Sequence, residues 1–127
     1  MTAWTTDELD EIDAADELEI ASLRLDGTLR NPTTIWVVRL GDDLYVRSVN
    51  GPGSGWFRGT QVRHEGRIRA DGVEKDVTFV DADPDVVDRI DAAFTKYRRY
   101  AASIVDHTLT PEARSATLKL VPRSTGS

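Results

Sequence analysis

The clearest signal along the chain is a pair of β-branched and aromatic runs. Thr34, Ile35, Trp36, Val37, Val38, Arg39 and Leu40 come first, then Gly41, Asp42 and Asp43, then Leu44, Tyr45, Val46, Arg47, Ser48 and Val49. Two such runs joined by turn residues predict a β-hairpin. With three residues in the turn, Leu40 faces Leu44, Val38 faces Val46 and Trp36 faces Ser48. Trp36, Val38, Leu40, Leu44 and Val46 then form the core face, and Arg39, Tyr45 and Arg47 share the other with Ile35, Val37 and Val49.

Weaker patterns flank this hairpin. Thr5 or Thr6 can cap a helix over about residues 6–16, where acids in the first turn suit the macrodipole and Leu9 and Ile12 keep helical spacing. Leu18, Ile20, Leu23 and Leu25 alternate like a strand, with a bulge expected near Ala21 and Ser22, and Gly27 ends it. Asn31 and Pro32 predict a loop over residues 28–33. Beyond a glycine-rich loop over residues 50–55, short strands are expected near 57–63, 66–70 and 77–80. Asp83 and Pro84 open a second helix, along which Val86 or Val87, Ile90, Ala93 or Phe94, Tyr97, Ala101 and Ile104 stay in register. Alternation over residues 117–121 gives a last strand. Many short strands with few helices indicate an α+β domain or a small barrel rather than a parallel sheet. The expected organisation is one domain over residues 1–123 and a flexible tail over 124–127.

A length of 127 residues suits one domain with one core. No apolar run reaches the roughly 18 to 20 residues of a membrane span, and the first ten residues carry acids and no base, unlike a secretion signal. A cytoplasmic location is therefore expected. The absence of cysteine excludes disulfides, thiolate metal sites and a cysteine nucleophile, and no metal site is expected. The net charge of −6 argues against general nucleic-acid binding. That average hides an asymmetry, because residues 1–26 hold nine acids and one base, whereas residues 27–70 hold seven bases and three acids. All seven bases are arginine, whose planar fork suits phosphate and carboxylate.

Gly51, Gly53 and Gly55 do not make a dinucleotide fingerprint, because Trp56 follows and no helix is expected there. What remains is a strand ending in Arg47 and Ser48, a loop of unobstructed amides, and a segment opening Trp56, Phe57 and Arg58. Guanidiniums, a hydroxyl and free amides of this kind can converge on a terminal phosphate beside a flat apolar ring. The same residues also suit a long hairpin loop that needs glycine for its backbone angles. His64, Glu65 and His107 are expected at the surface, Tyr97 and Tyr100 as packing residues, and Asp42 and Asp43 as turn chemistry.

The runs Ile35-Trp36-Val37-Val38-Arg39 and Leu44-Tyr45-Val46-Arg47-Ser48, with Gly51, Trp56-Phe57-Arg58, Val77-Thr78-Phe79, Lys96-Tyr97 and a closing Thr117-Leu118-Lys119-Leu120-Val121-Pro122-Arg123, closely resemble a family of bacterial proteins, domain of unknown function 2255. That family is similar to the FMN-binding split-barrel group, which includes pyridoxamine phosphate oxidases and deazaflavin-dependent nitroreductases. The resemblance implies an antiparallel split β-barrel of about six strands with flanking helices, often a homodimer with its cofactor near the interface. In the deazaflavin branch a strand ending in serine leads through a glycine-containing loop to Pro-x-Trp around the cofactor phosphate. Ser48, Gly51 and Trp56 fit that arrangement, and Arg30 ahead of Pro32 resembles a basic residue of the same branch. Ser54 stands where that branch has proline, and Gly59-Thr60 replaces its Asn-Leu.

The expectation that follows is a small oxidoreductase binding FMN or a deazaflavin. Arg47, Ser48 and Arg58 would hold phosphate, Thr33, Thr34 and Trp56 would border the ring, and Arg30, Asn50, Gly51 and Ser54 would complete the site. No residue is nominated as a general acid or base. The alternative is a non-catalytic ligand-sensing or dimeric protein-interaction module of the same fold.

Overall fold

The computed structural model describes residues 4–15, 17–48, 51–53, 55–70, 72–95, 106 and 109–123. Six strands, β1 (Glu17–Ser22), β2 (Thr33–Leu40), β3 (Asp43–Arg47), β4 (Glu65–Ala70), β5 (Val73–Asp81) and β6 (Thr117–Pro122), close a barrel in the order β1-β2-β3-β6-β5-β4. Every neighbouring pair, including β1 with β4, is antiparallel. Closure leaves no unpaired sheet edge, and the expected six-stranded barrel with flanking helices is what the chain forms.

The first helix, α1 (Thr6–Ala15), buries Leu9 and Ile12 in the barrel core. It starts where the sequence places it, and for a reciprocal reason: the Glu8 amide donates to Thr5 Oγ1 at 3.1 Å, and the Thr5 amide donates to Glu8 Oε1 at 2.9 Å. Its acids are not merely a solvated face. Glu8 pairs with Lys75 on β5 and Asp10 with Arg39 on β2, so the acidic helix is strapped to two strands. Trp4, just before it, is buried in the same core and donates its indole N–H to the Leu120 carbonyl at 3.0 Å.

The hairpin forms with its register one residue tighter than expected. Leu40 pairs with Asp43, Arg39 with Leu44, Val38 with Tyr45 and Val37 with Val46. Gly41 has a φ of 60° and Asp42 does not share that positive angle, which is the pattern of a two-residue II′ loop. One residue of slip exchanges the faces of one strand relative to the other. Ile35, Val37, Leu44 and Val46 therefore belong to the barrel interior, while Trp36, Val38, Leu40 and Tyr45 lie outside it against Ile90 and Phe94 of α3 (Pro84–Phe94).

The second correction is at residues 55–63, which form a helix, α2 (Gly55–Arg63), and not the expected strand. It follows a single 3₁₀ turn over Gly51–Gly53. Trp56 and Phe57 favour strands locally, but propensity yields to packing. Phe57 and Thr60, three apart, face inward, and α2 carries the chain from β3 across the barrel end to β4, which is not its neighbour.

Two smaller differences concern β1 and its exit. Its pairing with β4 runs without interruption from Glu19 to Ser22, so the expected bulge is absent, and Leu25 stands 78% exposed in the turn beyond. Asp83 caps α3 by accepting from the Asp85 amide, as its sequence suggests. A short helix, α4 (Pro111–Arg114), capped by Thr110, leads into β6. The expected continuation through Tyr97, Ala101 and Ile104, the loop residues Val49, Asn50 and Ser54, His107 and the tail 124–127 lie outside the described residues.

Candidate functional site

At the barrel mouth, the end of β1, the β1–β2 connection and the start of α2 enclose a hollow of about 290 Å³. Ile20 and Ser22, on the inward-facing side of β1, form its floor with Thr33 of β2. Arg24, Arg30 and Asn31 come from the connection, and Gly55 and Trp56 from the first turn of α2. The connection is held in shape by a backbone bond from Arg24 to Thr28, an isolated bridge between Leu23 and Leu29, and the Arg30 amide donating to the Ser22 carbonyl at 2.9 Å. Arg24 also donates to the Leu29 carbonyl at 3.0 Å. Among the described residues no carboxylate lines this hollow. The amides of a helix's first turn have no intrahelical acceptor and carry the positive end of its dipole, so α2 adds to the positive character.

Arg30 is the unusual group. Among the described residues every other part-buried arginine meets a carboxylate: Arg39 meets Asp10, Arg114 meets Asp88 and Asp91, and Arg123 meets Glu65. Arg30 is half-buried, its Nε is wholly enclosed without a hydrogen-bond partner, and its guanidinium makes no ion pair among the described residues. A charge taken from water without a counter-charge costs free energy that something must offset. Its side chain also walls a second hollow of about 270 Å³ on the barrel exterior, floored by Ala21 and Ile68 and edged by Leu29 and Pro32.

The family described as "Uncharacterized protein conserved in bacteria", DUF2255, matches residues 8–120. The chain belongs to that family. No curated protein matches it. Solved structures share the fold of this DUF2255 chain at low identity. The haem storage protein HutZ from Vibrio cholerae is 14% identical over 94% of this chain and 90% of that one, with a TM-score of 0.62. An FAD-binding protein from Mesorhizobium loti is 10% identical over 98% and 93%, with a TM-score of 0.61. An F420 reductase is 17% identical over 92% of both chains, with a TM-score of 0.51. The chain thus shares the split-barrel fold of these three proteins.

The expected site residues of the DUF2255 chain do not all meet. Arg30, Thr33 and Trp56 come together at the hollow. Thr34 is exposed on the outer face of β2, and Arg58 is exposed on α2 outside the hollow's lining. Gly51, with a φ of 80°, packs against Glu112 of α4. Ser48 is buried, its amide donating to Ala116 and its carbonyl accepting from Gly51. Asn50 and Ser54 lie outside the described residues.

Arg47 stands furthest from its expected role. It keeps the face of Tyr45 that the sequence gives it, but the tighter register brings Val38 rather than Arg39 beside that face, and α3 covers it. Its side chain has no exposure, its Nε donates to Thr117 Oγ1 at 2.7 Å, its Nη1 pairs with Asp91, and its guanidinium lies 5.3 Å from the Phe94 ring. Burial pulls its pKa below the ordinary arginine value, opposed by Asp91. Asp91 also lies 3.0 Å from Arg114 Nε, close enough for an ion pair although not aligned as a hydrogen bond. Arg47 thus ties β3 to α3 and β6.

Sequence reasoning missed Ser22, Arg24, Asn31 and Gly55 as lining residues. The loop chemistry of Asn31 and Pro32 was visible, but nothing in a one-dimensional pattern brings a β1–β2 connection against a helix start more than twenty residues on.

Proposed function

We propose that this protein binds a flavin-type cofactor, FMN or a deazaflavin, at the barrel mouth, and serves as a small oxidoreductase. The observation that carries the reading is Arg30, a half-buried guanidinium without an anion among the described residues, in a hollow free of carboxylates. Arg30, Arg24 and the first-turn amides of α2 would hold the phosphate, and Trp56 and Thr33 would border the apolar ring. The bound group would supply hydride or electron transfer to a small acceptor, the protein providing anchorage, orientation and exclusion of water. Among the described residues the lining contains arginine, serine, asparagine and threonine, and none of these is nominated for general acid–base work. Likeness of fold to an FAD-binding protein and an F420 reductase supports the cofactor class.

Pairing with a second copy belongs to the same proposal. Leu25 and Leu29, exposed beside the hollow, are the kind of surface a partner would cover. Sedimentation equilibrium of the full chain checks it, and a monomer at all concentrations would remove that part.

The binding test is titration of the full chain with FMN and with a deazaflavin, followed by absorbance, fluorescence and calorimetry. Saturable binding by at least one, weakened about tenfold or more by Arg30→Gln, is expected from the loss of a charge-assisted contact. Failure of both to bind would remove the cofactor reading and leave the non-catalytic module.

A further inference from the structure

We infer that Gly59 is the positioning residue of Arg30: its bare face on α2 leaves only the width of the arginine stem, and so fixes the guanidinium at the barrel mouth before any ligand arrives. The inference rests on the anion-binding role given to Arg30 above and adds to it a residue that touches no ligand. Gly59 is buried on α2 and does not line the hollow. It acts through the arginine.

Glycine in the middle of a helix is unfavourable relative to alanine, because it gives up more backbone freedom on folding. Something specific must favour it at this position. A Cβ there would lie 2.4 Å from Ser22 Oγ and 3.0 Å from both Cδ and Nε of Arg30. No room is left over, so the arginine stem is itself the occupant of the space beside the helix. The base of the same arm is held from the strand side, where the Arg30 amide donates to the Ser22 carbonyl at 2.9 Å. Ser22 anchors the backbone of the arginine, and Gly59 anchors its stem.

This confinement works against hydration. The Nε of Arg30 is enclosed without a hydrogen-bond partner, and a donor withdrawn from water unpaired is disfavoured. An arginine free to rotate would turn that group outward. The stem is therefore kept in place by fit, with α2 as its wall. A long side chain that is already immobile surrenders less rotamer freedom when an anion arrives, and that difference strengthens binding.

The first test needs no ligand. In proton–nitrogen correlation spectra of the full chain, the Arg30 Nε–H, assigned by its loss in Arg30→Gln, is expected to exchange slowly with water. Gly59→Ala is expected to move it to the rapidly exchanging position of exposed arginines, with far-ultraviolet circular dichroism and the thermal midpoint showing that the variant folds. Should that variant not fold, Ser22→Ala is added to it and serves alone as the reference, since it removes the 2.4 Å contact and leaves those with Arg30. The second test is a double-mutant cycle read by FMN titration. Gly59→Ala is expected to weaken FMN about tenfold in the parent, as Arg30→Gln does, but by less than about twofold in the Arg30→Gln background.

An Nε–H that still exchanged slowly in Gly59→Ala would overturn the positioning role. Additive losses in the cycle would overturn it as well, because a purely structural glycine would matter with or without the arginine. If FMN did not bind the parent, the loss would fall on the FMN reading, and the exchange measurement would still decide the role of Gly59.

Discussion

Gly66 shows how narrow the tolerance of single positions in this barrel is. It pairs with Ser22 across β1 and β4, and a Cβ there would sit 2.2 Å from the Ala21 carbonyl oxygen and 2.9 Å from the Phe79 ring. Neither backbone nor buried ring can yield cheaply, so Gly66→Ala is expected to destabilise the protein by about 3 kcal/mol, measured by urea unfolding. His64 presents the opposite case. It follows α2 with a φ of 59°, its amide donating to the Thr60 carbonyl, in a left-handed position that glycine occupies without strain. Its side chain is exposed, so His64→Gly is expected to raise stability by about 1 kcal/mol in the same assay. An unchanged or lower midpoint would show that the imidazole makes a contribution its surroundings do not reveal.

At the scale of elements, β3, α3 and α4 are joined by one carboxylate. Asp91 receives Arg47 from beneath and Arg114 from the side, and Asp88 adds a second contact to Arg114. α4 in turn touches the 3₁₀ turn at Gly51 that precedes α2. Removing one partner of a buried pair leaves a charge with nothing to offset its desolvation. Asp91→Asn is therefore expected to cost about 3 kcal/mol of stability, read by denaturant unfolding. Arg47 was expected among the phosphate ligands because it ends a strand beside the glycine-rich loop. It shares a face with Tyr45 in either hairpin register, and α3 covers that face, so the same arginine belongs to the packing of α3. Arg47→Ala should accordingly lower stability while leaving any FMN affinity of the folded fraction unchanged, and a large loss of affinity at constant fold would restore the original expectation.

For the molecule as a whole, acidity is managed by pairing. Burial raises the Glu8 pKa, but hydrogen bonds from Thr5 and Lys75 and the charge of Lys75 more than offset this, so it lies below the ordinary 4.5. Hydrogen bonds from Thr28 lower Asp26 likewise from 3.8. A carboxyl whose folded pKa is depressed adds stability that is complete above its ordinary value and disappears as pH falls through the folded one. The thermal midpoint should therefore hold between pH 6 and 7 and drop below about pH 4.5, with Glu8→Gln flattening part of that decline. No helix among the described residues is long and apolar enough to cross a membrane. What the sequence alone determined was the list of elements that local chemistry dictates. The capped α1, the capped α3, all six strands in outline and the hairpin follow from alternation and caps, which act over a few residues. α2 and the hairpin register depended on one more level, because a short aromatic segment and a three-residue turn signal each allow two local solutions and only barrel closure chooses between them. The hollow was decided entirely there. Arg30, Thr33 and Trp56 carried recognisable chemistry, but Ser22 and Gly55 join them only when α2 is laid across the end of β1, since an approach of residues more than thirty positions apart has no signature in the spacing of either.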